Sequence, residues 1–182
     1  MNPRRFTFAK WALLGGVLST LLTLVVMVLV YRDPVPRLTR SSFDDARERW
    51  QAAGLLDYDL KVEAVSAAID VYQISVREGA VAQVIRNGEV SSRPASFQAW
   101  TVGGMFDVIS SDLQSQEAIT RDQAPPGAAI LSLRAEFDAK SGIPLRYLRA
   151  DRSAGRTSRW TVQSWSRAEP GTPFPAAAAD TL

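Results

Sequence analysis

Arginine and aromatic residues lie close together near the C-terminal end of the chain, and these are the residues best suited to chemistry. The arginines are Arg146, Arg149, Arg152, Arg156 and Arg159, and the nearby aromatic residues are Tyr147, Trp160 and Trp165. Guanidinium groups pair with carboxylates and phosphates, and aromatic rings add stacking surface. The pattern predicts a surface for an anionic group or a protein partner. The alternative is a solvated sheet face with the tryptophans in the core.

Most side chains that enzymes use at neutral pH are missing. The sequence has no histidine and no cysteine, which removes the imidazole base, the thiolate nucleophile and the commonest metal ligands. Two carboxylates could still hydrolyse a glycoside, and the candidates are Asp57, Asp59 and Asp107. Asp138 could ligate calcium, or it could cap its own turn. We therefore predict no catalytic residues, no cofactor and no metal.

A hydrophobic segment near the N-terminus predicts a membrane anchor. The 20 residues from Trp11 to Val30 carry no charge, and a helix of that length spans ~30 Å, the thickness of a bilayer's hydrocarbon core. Trp11 and Tyr31 flank it, as interfacial aromatic residues do. Because residues 28–32 lack a small-x-small cleavage site, we predict an uncleaved signal anchor rather than a cleaved signal peptide.

Basic residues around this segment predict its orientation. Six of the 21 basic residues precede residue 41, against one acid, Asp33. The remaining 15 basic and 18 acidic residues give the rest of the chain a net charge of −3, so we do not expect nucleic-acid binding. Positive charge before the segment predicts a cytoplasmic N-terminus, with the C-terminal domain periplasmic or extracellular.

Small residues recur every four positions along the same segment. They form two rows, Ala12, Gly16, Thr20 and Gly15, Ser19, Thr23. This spacing allows two membrane helices to approach closely and to self-associate. The alternative is that these residue types are simply common in membrane helices.

Shifts in composition divide the chain into five parts. We assign residues 1–10 to the cytoplasm, 11–31 to the anchor, 32–41 to a proline-containing linker, 42–167 to a folded domain and 168–182 to a disordered tail. Within the domain, the periodicity predicts helices over 43–53 and 102–116, and strands over 57–65, 70–77, 80–86, 131–137, 145–151 and 158–166. This order of helix, three strands, helix, three strands predicts an α+β fold with one antiparallel sheet and the helices on one face.

Turn and cap residues mark the ends of these elements. Ser41 or Ser42 is the predicted cap of the first helix, and Gly54 its stop. Thr101 is the predicted cap of the second helix. Gly142 is expected to take a positive φ in the loop of the hairpin that follows.

Four stretches resemble a bacterial exported-domain family catalogued only as a domain of unknown function. They are residues 50–58, 76–81, 101–109 and 137–144, within a match over 42–166. The resemblance implies an envelope location and the fold described above, and it implies no catalytic residues. Many members carry cysteines where this chain has Val65-Ser66-Ala67-Ala68. Many also carry a lipid anchor, where this chain has a hydrophobic helix.

These patterns predict a membrane-anchored, single-pass, non-enzymatic binding module of the bacterial envelope. Its expected partners are the bilayer, through the N-terminal helix, and an unidentified protein or anionic envelope component. Two alternatives stay open. One is a structural subunit of a membrane assembly, and the other is a carboxylate-dependent hydrolase.

Overall fold

The computed structural model describes residue 23 and residues 35–168. The chain divides into two compact units, Met1–Pro34 and Val35–Leu182, and every element below belongs to the second. Within the described ranges, no helix is both long enough and apolar enough to cross a bilayer. The predicted anchor, its orientation and its small-residue rows fall outside those ranges, except for Thr23, and so does the tail from residue 169.

One seven-stranded sheet forms the centre of the domain. Its strands are β1 Tyr58–Val65, β2 Ile69–Arg77, β3 Ala80–Arg86, β4 Glu89–Val90, β5 Leu131–Phe137, β6 Pro144–Asp151 and β7 Arg156–Arg167. They lie in the order β4-β3-β2-β1-β7-β6-β5, and every neighbouring pair is antiparallel. Since β1 pairs with both β2 and β7, it joins the two halves of the chain. The predicted single antiparallel sheet is confirmed.

Two α-helices and a 3-10 helix pack on one face of this sheet. They are α1 Arg40–Ala53, the 3-10 helix Pro94–Trp100 and α2 Val102–Thr120. The apolar residues of α2 that recur at helical spacing are all buried: Val102, Met105, Phe106, Ile109 and Leu113. Phe106 meets Phe43 of α1 edge to face, with ring centroids 5.7 Å apart. The alternating apolar residues of β1 complete the same core, while the charged alternates face away from the helices.

The predicted order of elements was incomplete in the first half of the domain. A fourth strand, β4, pairs with β3, and the 3-10 helix follows it. A strand of two residues is too short to show periodicity. The 3-10 helix has seven residues and includes a kink at Phe97, so it has no regular apolar stripe.

The cap of α1 is Thr39, two residues before Ser41 and three before Ser42, the two predicted positions. Thr39 Oγ1 accepts a hydrogen bond from Ser42 N at 3.2 Å, and Ser42 Oγ accepts one from Thr39 N at 3.1 Å. This reciprocal pair is a capping box, so assigning the cap to Ser41 or Ser42 was wrong. Gly54 ends the helix at φ 57°, and Thr101 caps α2 by accepting from Gly104 N at 3.0 Å, as predicted.

Part of the predicted linker belongs to the folded domain. Leu38 N donates to Leu133 O and Ala135 N donates to Pro36 O, both at 3.1 Å, so residues 36–38 extend the sheet beyond β5. Leu38 is buried in the core. At the other end, Ala168 N donates to Asp57 O at 3.1 Å, so Ala168, which was assigned to the tail, also contacts the folded domain.

Two glycines allow close backbone approaches. Gly142 has φ +77°, as predicted, and a Cβ there would lie 3.0 Å from Trp50 N and closer still to the carbonyl oxygen of Ala46. A Cβ on Gly104 would lie 2.7 Å from Ala99 Cα. Glycine therefore lets the β5–β6 loop press on α1 and the 3-10 helix press on α2.

Candidate functional site

The five predicted arginines do not form one free surface, because two of them are paired. Arg146 Nε lies 2.7 Å from Glu136 Oε2, its partner in the β5–β6 register. Arg149 Nε donates to Asp112 Oδ1 of α2 at 3.0 Å. Arg146 and Arg149 therefore belong to the fold's own ion pairs.

Asp112 also accepts a hydrogen bond from a buried tyrosine. Tyr147 Oη donates to Asp112 Oδ2 at 2.7 Å. Burial, followed by this hydrogen bond, raises the pKa of Tyr147 well above its usual range, so its hydroxyl stays protonated. The carboxylate thus ties α2 to two residues of β6, which is a structural role.

The other three arginines, Arg152, Arg156 and Arg159, are exposed, and we call them the arginine edge. None makes an ion pair with another residue in the described part of the chain. The nearest acid along the chain is Asp151, whose Oδ1 accepts from the turn amides of Ser153 and Ala154 at 2.9 and 3.1 Å. These bonds, that of Ala154 first, lower the pKa of Asp151. The guanidinium groups of the arginine edge are therefore available to an anionic group on another molecule.

The aromatic residues near these arginines are mostly in the core. Tyr147 and Trp160 are buried, with ring centroids 4.4 Å apart, and Trp165 is half-buried against the same core. Burial of the tryptophan was the alternative left open above, and it holds for Trp160. These rings therefore offer little open face for stacking.

A cleft of about 300 Å³ opens where β7, β2, the 3-10 helix and α2 meet, and we call it the aromatic cleft. Its lining includes Ala64, Asp70, Tyr72, Trp100, Val108, Arg159 and Trp160. Trp100 stacks on Tyr72 with centroids 4.8 Å apart and meets Trp160 edge-on at 6.0 Å. The arginine edge thus touches this cleft through Arg159.

Trp160, which lines the aromatic cleft, has an enclosed hydrogen-bond donor with no acceptor among the described residues. Trp160 is 8% exposed, and its Nε1 has no hydrogen-bond partner among the described residues. Buried polar groups in proteins are nearly always paired. This indole N–H is therefore an unusual feature of the site.

An acid beside the cleft is already neutralised. Arg86 donates to Asp70 through Nε at 3.1 Å and Nη2 at 2.9 Å, and Asn87 Nδ2 donates to it at 2.8 Å. The Arg86 bonds, followed by the Asn87 bond, lower the pKa of Asp70, so it stays ionised. Burial, and then the charge of Asp70, raise the pKa of Tyr72. With Asp70 paired to Arg86, Arg159 adds net positive charge to the rim.

Two of the candidate acids of a hydrolase are engaged by hydrogen bonds of the fold, and the third lies on a helix. Asp59 accepts from Ser75 Oγ at 2.7 Å and from Arg77 Nη1 at 3.0 Å, on the sheet face away from the helices. Asp107 is exposed on α2, which covers the opposite face. Asp57 Oδ1 accepts from Glu78 N at 2.7 Å in a turn. A second cleft, of about 350 Å³, includes Asp59 as its single carboxylate.

Asp138 has the structural role that was left open as an alternative to calcium binding. Its Oδ2 accepts from Ser141 N at 3.1 Å and from Ser141 Oγ at 2.9 Å. The hydrogen bond from the backbone N–H of Ser141 is the main cause that lowers the pKa of Asp138. Within the described ranges, no group of three or more acidic residues is placed to hold a metal ion.

Sequence reasoning missed the aromatic cleft because Trp100 lay in no predicted element. The available signal was local: Pro94 opens a short segment in which Phe97 and Trp100 are three residues apart, just before the Thr101 cap. That spacing places both rings beside Tyr72, with the Phe97 centroid 5.9 Å away. That Trp100 would contact both Tyr72 of β2 and Trp160 of β7 could not be read from the sequence.

Comparisons with known proteins returned few matches. No family model matches the chain, and no curated protein sequence matches it. Among solved structures it is similar to the crystal structure of MucB in complex with MucA(peri), at 12% identity and a TM-score of 0.37, covering 69% of this chain and 56% of that chain. It is similar to the complex structure of Pseudomonas aeruginosa MucA/MucB at 13% identity and a TM-score of 0.37, covering 70% and 57%. The chain thus spans little more than half the length of these solved chains.

Proposed function

We propose that this chain is a non-enzymatic interaction module of the bacterial envelope that binds an acidic surface of a partner protein. The arginine edge carries the proposal. Arg152, Arg156 and Arg159 are exposed and make no ion pair within the described residues, whereas Arg146 and Arg149 are paired. Guanidinium groups without internal partners are suited to carboxylates on another molecule.

The arrangement of the acids supports a binding role over hydrolysis. Glycoside hydrolysis needs two carboxylates facing one substrate bond. Each of the two clefts is lined by a single carboxylate, Asp59 in one and Asp70 in the other. Each of these carboxylates is paired with an arginine of the fold, so neither cleft holds two carboxylates that could act on one substrate bond.

We also propose that residues 11–31 anchor the chain, with the N-terminus in the cytoplasm and the domain periplasmic or extracellular. The support is the uncharged 20-residue segment and the basic residues before it. The full-length protein should stay in the membrane pellet after alkaline wash, and a C-terminal alkaline phosphatase fusion should be active. Release into the supernatant, or a mature N-terminus beyond Tyr31, would contradict the anchor.

Membership of the exported domain-of-unknown-function family is likewise a proposal. It is supported by physical roles for glycines in two of the resembling stretches, since Gly104 and Gly142 each allow a close backbone contact. A structure of a family member tests it. The glycine that corresponds to Gly142 should contact α1, and the glycine that corresponds to Gly104 should contact the 3-10 helix. A different packing at these two positions would count against membership.

Crosslinking in native membranes tests the proposed binding surface. A photo-reactive amino acid at Thr157, which is exposed beside the arginine edge, should capture a discrete protein. The variant R152S/R156S/R159S should reduce capture several-fold. Its matched control is K61S/K140S/R167S, which removes the same charge from exposed positions elsewhere.

The outcomes separate the candidate functions. An equal loss of crosslinking in both triple variants would show a general effect of charge and would contradict specific binding at the arginine edge. Crosslinks obtained only from positions within 11–31 would favour the structural subunit instead. Capture that responds only to the arginine-edge variant is the result we expect.

A further inference from the structure

The aromatic cleft combines apolar walls with a cationic rim. Its lining includes Tyr72, Trp100 and Trp160, of which Trp100 is only half-buried, and Val108 is 39% exposed at the α2 side. Arg86 neutralises Asp70, so the unpaired cation is Arg159. A ligand that complements both features has an apolar group next to a negative charge.

We infer that the aromatic cleft receives one apolar side chain of an extended acidic peptide segment, with a neighbouring carboxylate of that segment bound by Arg159. The inference rests on the proposed function and specifies its site and ligand chemistry. At about 300 Å³ the cleft is at the small end of ligand sites. That volume suits a single side chain better than the paired acyl chains of a phospholipid.

Binding of short labelled peptides to the purified full-length chain tests this inference. The probes are pentapeptides with two acidic residues on each side of a central Leu, Phe, Trp or Ser. We expect at least one apolar-centred peptide to bind about tenfold more tightly than the serine peptide. Lysine-flanked versions should not bind, and added salt should weaken the acidic ones.

Two substitutions in the cleft should weaken peptide binding without unfolding the domain. Val108→Glu places a carboxylate at a partly exposed position of the rim and should weaken binding about tenfold or more. Its matched control is Leu56→Glu, because Leu56 is 60% exposed and lies outside the cleft. Trp100→Ala should also weaken binding, Trp100→Phe should restore most of it, and Arg159→Ser should reduce its salt dependence.

The inference fails if no acidic peptide binds, or if Val108→Glu and Leu56→Glu have equal effects. Binding to phosphatidylglycerol vesicles, without binding to peptides, would assign the cleft to lipid and would also overturn it. Failure here is distinguishable from failure of the proposed function. Loss of crosslinking in R152S/R156S/R159S with no response to Val108→Glu would keep the binding module and move its contact out of the cleft.

Discussion

Replacing Gly142 with alanine should strongly destabilise the domain. Gly142 has φ +77°, and an added Cβ would collide with the backbone of α1 at Ala46 and lie 3.0 Å from Trp50 N. A non-glycine residue in the left-handed region costs about 1–2 kcal/mol. Overpacking against the backbone atoms of α1, which cannot change rotamer as a side chain can, adds about 1–3 kcal/mol to this cost. The free energy of unfolding should therefore fall by about 2–5 kcal/mol, which corresponds to a Tm lower by roughly 10 °C for a domain of this size.

The matched control is Gly155→Ala in the β6–β7 turn. Gly155 has φ +63°, but a Cβ there would meet nothing within 4 Å, so only the cost of the left-handed backbone, about 1–2 kcal/mol, remains. Thermal unfolding of both full-length variants, followed by circular dichroism, measures the difference. Equal Tm values would refute the reasoning, because they would show that the β5–β6 loop can move away from α1 at no cost.

Two further predictions concern the polar contacts of the domain. Asp112→Ala leaves the buried Tyr147 hydroxyl and Arg149 without their acceptor, so urea unfolding should show a loss of about 2–4 kcal/mol; an unchanged midpoint would contradict the structural role of this contact. The Tm should vary little between pH 5 and 8, because the sequence has no histidine and no cysteine. The fold lowers the pKa values of Asp70 and Asp138, so both carboxylates stabilise the domain at pH values above their unfolded pKa. As the pH falls below about 4, these carboxylates bind protons and the stabilisation is lost, so the Tm should fall. Asp138→Asn should make this acid transition shallower, and an identical transition would remove Asp138 from the explanation.

Elements with long, regular periodicity could be predicted from the sequence. The five apolar positions of α2 are all buried, because a helix of several turns repeats its apolar spacing often enough to fix both its period and its buried face. The bounds of β3 were predicted as observed, Ala80–Arg86. There, glycine turns at both ends, Gly79 and Gly88, both with positive φ, mark where the strand starts and stops.

Elements that depend on distant partners were missed. Residues 36–38 read as a proline-containing spacer, yet they pair with β5, almost one hundred positions further along the chain. Local sequence does not indicate such a partner, because a segment joins the edge of a sheet by pairing with the free backbone donors and acceptors of a distant strand. The end of α2 shows the same limit, because it continues to Thr120, beyond the last buried position of its stripe.

The sequence by itself determined the class of domain, the cap of α2, the glycine turns and the side chains unavailable for catalysis, because these follow from local spacing and from residue types that are present or absent. Only the tertiary structure decided which arginines remain available. Arg149 and Arg159 look alike along the chain, but β6 brings Arg149 to Asp112 of α2, whereas Arg159 meets no acid within the described residues. It also placed Trp100 beside Tyr72 and Trp160. Both outcomes depend on strand register and helix packing, which set the distances between residues far apart in the sequence.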